Sequence, residues 1–404
     1  MAKQGATFNA FAAQGSVYRI SALVMFTWAL FHFVFSPSSS ASISNEEAQA
    51  KARVALQHKI ETADVGPDGF KIIARDYFED FYGAQECKIS STRLYNPMTK
   101  PDGSLVRPYC DSKAKLLEAL SGGGRVGFNA PYHPRSCEYR WFDPEEICMI
   151  LDRFDAVIFI GESSMTSHLY GAFNSLLRKN LAWGALKNWE LNEQQRQRCR
   201  CDSQYTNPQC GGSQTGSGDH FIADSAEILD AKEEGTRVGA PYVCNRVFHG
   251  IVNVNSEPVS QSTLEEIDEI LTTYHKTAKP VPIIIQQGMS LGFNWDRTTK
   301  VIDAISKQIE LHEPNPVHRP VLWLGPTAAG HLKPPGAIIE QGNPALHHFT
   351  IELAKRAQDR GFDALSLFNL TLQADSFDGT MYSGDVSLTT AMMVVNWLSR
   401  VESL

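Results

Sequence analysis

Residues 156–164 read Ala156-Val157-Ile158-Phe159-Ile160-Gly161-Glu162-Ser163-Ser164. The run from Ala156 to Ile160 has strand length and no polar position, which is the pattern of a strand buried on both faces. Gly161 ends it. Met165 to Lys179 then carries Leu169, Phe173, Leu176 and Leu177 at helical spacing, on one face. A doubly buried strand that enters a helix through a glycine turn is half of a parallel crossover unit. It predicts a parallel sheet covered by helices on both sides.

The same alternation continues outward. Pro144–Phe154 precedes the run as a helix. Arg246–Val254, Val281–Ile285, Val321–Leu324 and Ala364–Leu370 read as strands. Thr299–Leu311, Pro344–Arg360 (closed by Gly361) and Ser387–Val401 read as helices. Residues 66–145 are irregular, rich in glycine, proline and aromatics. Residues 196–244 hold four cysteines and a Gly/Ser/Gln run, and read as a disulfide-tied surface insertion. In a mainly parallel sheet ligands sit at the carboxyl ends of the strands. Gly161–Ser164, Gln286–Asn294, Gly325–His331 and the loop around Asp378 all fall there.

Totals bound the class. The chain has 404 residues, is 43% hydrophobic and 20% charged, and has a net charge of −8. Such a chain buries a sizeable core and is no general nucleic-acid binder. The basic stretch Arg196–Arg200 reads as a solvated loop face. Ile20–Phe35 is apolar with no acidic or basic residue, with Lys3 and Arg19 before it and Glu46 and Glu47 after it. That bias predicts a cytosolic leader (1–19), a transmembrane signal anchor (20–36) and a stem (37–60). Residues 61–404 then form a lumenal or extracellular domain of a single-pass type II protein. Cleavage among Ser38–Ser42 would instead secrete it. All eight cysteines follow the anchor, and an even number in an exported domain predicts disulfides rather than metal. Asn369-Leu370-Thr371 is a glycosylation sequon.

The chemistry-bearing positions are Ser163, on the turn into the helix, and Asp378, in Ser376-Phe377-Asp378-Gly379-Thr380-Met381-Tyr382, about 215 residues on. A serine there has its neighbours' N–H groups near the helix N-terminus to hold an oxyanion. It still needs a base to activate it. Glycine–serine turns also simply cap helices, and Asp378 also suits a turn ahead of Gly379. Gly122-Gly123-Gly124 follows no strong strand and lacks a Walker lysine, so no cofactor is implied.

These positions resemble the SGNH (GDSL-like) hydrolase superfamily. The branch they are most similar to is the fungal PC-esterases, related to the plant trichome-birefringence-like proteins that acylate cell-wall polysaccharides. Leu116–Arg125, Cys137–Phe142, the Gly-Glu-Ser turn and Ala391–Leu398 carry the likeness. It implies a three-layer, flavodoxin-like α/β fold, with Ser163 as nucleophile (or Ser164, one register on) and Asp378 orienting a histidine. It also implies Gly292 and Asn294 as oxyanion donors, although Asn294 suits a helix cap equally. Two positions depart from the pattern. Glu162 replaces the usual aspartate, and Met381 occupies the histidine position of Asp-x-x-His. A thioether takes no proton from serine at neutral pH. His331 and His168 are the alternative bases; His347 and His348 read as packing or surface residues. The resemblance implies an esterase or O-acyltransferase acting on a glycan in the secretory pathway or cell wall. Met381 implies the alternative, a degenerate glycan- or protein-binding membrane protein. A third reading makes the cysteine-rich insertion a scaffold that recruits a membrane enzyme.

Overall fold

In the computed structural model, Ala156–Gly161 is a strand (β1) with all six residues buried. The structure describes residues 75–100, 104–182, 192–210, 220–224, 247–274, 279–312 and 319–402. The leader, anchor and stem expected over 1–60 lie outside these residues. Among those described, no helix is long and apolar enough to cross a membrane.

Parallel neighbours flank β1 on both sides: β2 (Phe248–Asn253) and β3 (Ile283–Gln286). β4 (Val321–Leu324) and β5 (Asp363–Leu365) extend the sheet, also parallel. The parallel strands run in the order β2-β1-β3-β4-β5. That is the flavodoxin-like doubly wound order, and its direction reverses between β1 and β3. His220–Asp224 adds an antiparallel edge strand beside β2. Part of the expected surface insertion is therefore built into the sheet.

Strand residues alternate between two cores. Ile158, Ile160, Ile283, Ile285 and Trp323 face a layer made of α4 (Gln261–Tyr274), α5 (Trp295–His312) and α6 (Asn343–Asp359). Val157, Phe159, Ile251, Ile284 and Leu322 face the other layer. It holds α1 (Lys113–Ser121), α2 (Pro144–Leu151), α3 (Ser163–Leu177) and α7 (Gly384–Arg400). The result is the expected three-layer α/β architecture. α2 begins with a complete capping box, Asp143 with Glu146, and a proline in the first turn. α7 is buried along nearly its whole length, Val386 to Leu398, which places it inside rather than on the surface. On α7, Asn396 accepts the Arg140 N–H (2.9 Å) and donates back to the Arg140 carbonyl (2.6 Å). This fixes the aromatic segment of Trp141, packed edge-on to Phe78 with centroids 5.6 Å apart.

Three expectations need correction. The last strand stops at Leu365 rather than Leu370, because Ser121 of α1 captures the chain. Its hydroxyl accepts the Ser366 N–H (3.1 Å) and its carbonyl accepts Asn369 Nδ2 (2.9 Å), and Phe368–Thr371 coils into a helical turn. The 66–145 segment holds α1 and a small antiparallel pair, Gly124–Arg125 with Tyr132–His133. Finally, the cysteine-rich segment carries short helices, Glu193–Arg198 and Ser203–Thr206. Disulfides join Cys87 to Cys201, Cys110 to Cys137 and Cys199 to Cys210. Cys148 is disulfide-bonded as well, and Cys244 lies outside the described residues.

Candidate functional site at the sheet switch point

The turn after β1 is shaped by the close approach of β3. A Cβ on Gly161 would lie 2.1 Å from the Gln286 carbonyl oxygen and 2.5 Å from Thr166 Oγ1, so only glycine fits. Glu162 then opens α3 with its backbone alone. Its carbonyl accepts the Thr166 N–H at 2.9 Å, and its side chain caps nothing in the helix. The Glu162 carboxylate is fully buried and reaches across the switch point. It accepts the N–H of Ser290 at 2.9 Å and that of Gly288. Burial pushes its pKa up, against the lowering effect of these N–H groups. Ser163 is the first residue of α3, and the exposed Ser164 follows it.

The Asp378 loop is held by its own aspartate and by the loop after β4. Asp378 Oδ1 accepts the N–H groups of Thr380 (2.7 Å) and Met381 (2.6 Å). Gly379 has φ +84°, and a Cβ there would meet the Lys333 nitrogen at 2.3 Å. Gly330 donates to the Gly379 carbonyl (3.0 Å), Thr327 Oγ1 to the Thr380 carbonyl (3.0 Å), and Tyr382 to the Ala328 carbonyl (2.7 Å). Lys333 Nζ donates to Thr380 Oγ1 at 2.7 Å. Two loops from adjacent strands thus form one interlocked rim.

Met381 is buried below that rim. It lines a cavity of ≈ 40 Å³ together with Met165, His168, Gln286, Thr327 and Thr380. The space holds a few waters at most and is far below the roughly 300 Å³ of small ligand pockets. His168, arriving from α3, shares the wall of this cavity with Met381. Burial pulls its pKa down to about 4, opposed by the charge of Asp378. The imidazole is neutral at pH 7 and a weak base.

The other expected residues lie elsewhere. His331 is half-exposed, with Nε2 3.6 Å from Asp375 Oδ1 and its ring edge-on to Phe128 at 5.7 Å. It lines no part of the Met381 cavity. Asn294 caps α5, its Oδ1 accepting the Arg297 N–H at 3.0 Å. Gly292 sits at φ +67° in the turn before that cap. His347 and His348 are exposed on α6. Asn369 lies on the turn after β5, remote in sequence from Ser163. Lys333 was missed in the sequence, where only its nearness to Gly325–His331 marked it; Thr327 lies within that segment, and Tyr382, an aromatic expected to stack on a sugar, is buried with its hydroxyl on the Ala328 carbonyl.

Helix geometry limits what the serines do. Ser163 lies five residues before His168, so the two stand on different faces and roughly 7.5 Å apart along the axis. Ser164 lies four residues before His168, on the same face. Helical spacing therefore aligns His168 with Ser164 rather than with Ser163.

Comparisons with known proteins are sparse. No protein-family model matches the chain, and no curated protein does. A solved structure described as "a putative arylesterase from Agrobacterium tumefaciens str. C58" is similar over 61% of this chain and 99% of its own, with 12% identity and a TM-score of 0.32. A likeness that loose assigns no activity. The layered parallel sheet rests on this chain's own strand pairing.

Proposed function

We propose that this chain is a glycan-binding protein on a hydrolase-type α/β scaffold, and that its serine turn does not process esters. The position of Met381 carries the reading. A thioether fills the place where the base is expected, walled into ≈ 40 Å³ beside a histidine made weakly basic by burial. The donors expected for an oxyanion are engaged elsewhere. The Gly292 N–H is taken by the Met289 carbonyl at 2.9 Å, and the Asn294 side chain is held at the start of α5 by its Oδ1.

The glycan part is supported by the family resemblance and by a platform at the carboxyl edge of the sheet. Phe128 is 61% exposed there, edge-on to His331. Asn129 Oδ1 accepts the Asp375 N–H at 2.7 Å, and Gln373 Oε1 accepts the Gly127 N–H at 3.3 Å, which fixes the loop beneath the ring. An exposed ring held beside carboxylate, amide and imidazole groups suits the C–H face and hydroxyls of a sugar.

The test is fluorophosphonate labelling of the full chain beside Ser163→Ala and Met381→His, with a glycan array read for the native protein and Phe128→Ala. The expected result is no label on the native protein and array binding that Phe128→Ala reduces at least tenfold. Label that vanishes in Ser163→Ala sinks the reading. A second reading rests on the spacing of Ser164, His168 and Asp378, a serine array shifted by one residue. Its signature is label that vanishes in Ser164→Ala and persists in Ser163→Ala.

A further inference from the structure

A crevice of ≈ 590 Å³ lies between α1, α6 and β5, the strand at the free end of the sheet. Its size falls within the roughly 300–1,000 Å³ of small-molecule sites. Glu118, Arg135, Gln358 and Asp363 supply polar lining, and Phe362 and Phe368 apolar lining. Asn369, the first residue of the sequon, lines the same crevice.

We propose that Asn369 is N-glycosylated and that the first sugars of its glycan lie in this crevice, along the sheet edge. The side-chain amide has two hydrogens. One donates to the Ser121 carbonyl at 2.9 Å. Glycosylation replaces the other. Nδ2 loses a proton and bonds to the anomeric carbon of a sugar, which leaves a lipid pyrophosphate carrier supplied by the host's glycosylation machinery. The Ser121 hydrogen bond survives the modification, so the folded structure accepts it without rearrangement.

Thr371, the third sequon residue, fixes the order of events. Its hydroxyl is 1% exposed as a residue, donates to the Leu367 carbonyl (2.9 Å) and accepts the Ala328 N–H (2.8 Å). The enzyme that reads this hydroxyl must therefore act before the chain folds. The disulfides are consistent with that setting, because disulfides form and persist in the oxidising secretory compartments, where N-glycans are also added. The occupant also has a structural use. An uncovered edge strand invites pairing with other chains, and a bulky, solvated covering blocks it.

The experiment is glycopeptide mass spectrometry on the full chain expressed in a eukaryotic secretory host. It is combined with peptide-N-glycosidase release timed on the native and on the reduced, unfolded protein. Asn369 is expected to carry a glycan that leaves the unfolded chain readily and the native chain at least tenfold more slowly. Asn369→Gln, which keeps an amide donor, should remove that mass and leave the disulfides formed. An unmodified Asn369 overturns the proposal, whatever the state of the cysteines. Equal release from native and unfolded protein overturns the placement in the crevice.

Discussion

Glu162 stands where the resemblance calls for aspartate, and the extra methylene gives the carboxylate the reach to hold Gly288 and Ser290 across the switch point. Removing it leaves two N–H groups in a buried turn without partners, at a cost of about 1–3 kcal/mol for each unmet group. Glu162→Ala should therefore lower the unfolding free energy by roughly 3 kcal/mol in urea titration. Glu162→Gln keeps an acceptor oxygen and removes a charge that burial already disfavours, so it should lose only about 1 kcal/mol. If both variants lose the same amount, the carboxylate's charge matters more than its hydrogen bonds. The sequence exposed Glu162 as a departure but not its task, because its partners lie more than 120 residues on. Asn294 and Asp378 are the opposite case. Their partners lie two or three residues on, and the sequence already offered a helix cap for one and a turn for the other. The fold has the Oδ1 of Asn294 on a helix N-terminus and that of Asp378 in its own turn.

At the scale of elements, β1, β3 and β4 were legible because burial on both faces keeps their residues apolar up to the terminal Gln286 of β3. β5 was overread for the same reason. The apolar residues after Leu365 serve a helical turn, and what bends the chain is a serine on α1, about 245 residues earlier. α1 itself had a readable signal, a serine cap at Ser112 ahead of a Leu-rich run, masked by the glycines that follow. The cysteine-rich segment was readable as disulfide-tied but not as attached to the core. Cys87–Cys201 spans 114 residues, and Asp202 Oδ1 accepts the N–H of Gly384 at the start of α7 (2.7 Å). Closing so long a loop constrains the unfolded chain strongly. The pair Cys87→Ser and Cys201→Ser should therefore lose about 3–5 kcal/mol of stability by urea titration. Cys199–Cys210 encloses only 11 residues, and its removal should cost less. The reverse order would mean that the segment's own short bridge stabilises the fold more than its tie to Cys87 does.

The whole molecule carries an acid response that no single motif announced. Burial pulls His249 down to about 3; it lies on β2, fully buried, with Nδ1 2.9 Å from the Tyr170 hydroxyl. Its ordinary value is 6.5, so at pH 7 it is neutral in the folded chain and mostly neutral in the unfolded one. As pH falls below 6.5 the unfolded chain takes up a proton there that the folded chain refuses. Stability contributed by the neutral ring is then lost, down to about pH 3. Buried carboxyls act in the opposite sense. Glu138, Glu162, Asp202 and Asp385 are all held above their ordinary values, first by burial. They favour the folded chain as pH falls and oppose it as pH rises through their folded values. The net curve mixes both, so the informative measurement is a difference. Unfolding free energies of the native protein and His249→Gln should be compared from pH 7 to pH 4. The carboxyl contributions cancel between the two, and the native protein should lose stability faster by about 1.4 kcal/mol per pH unit below pH 6.5. Parallel curves would mean that His249 gains its proton in the folded chain as readily as in the unfolded one. The β2 core beneath α3 would then have to admit water.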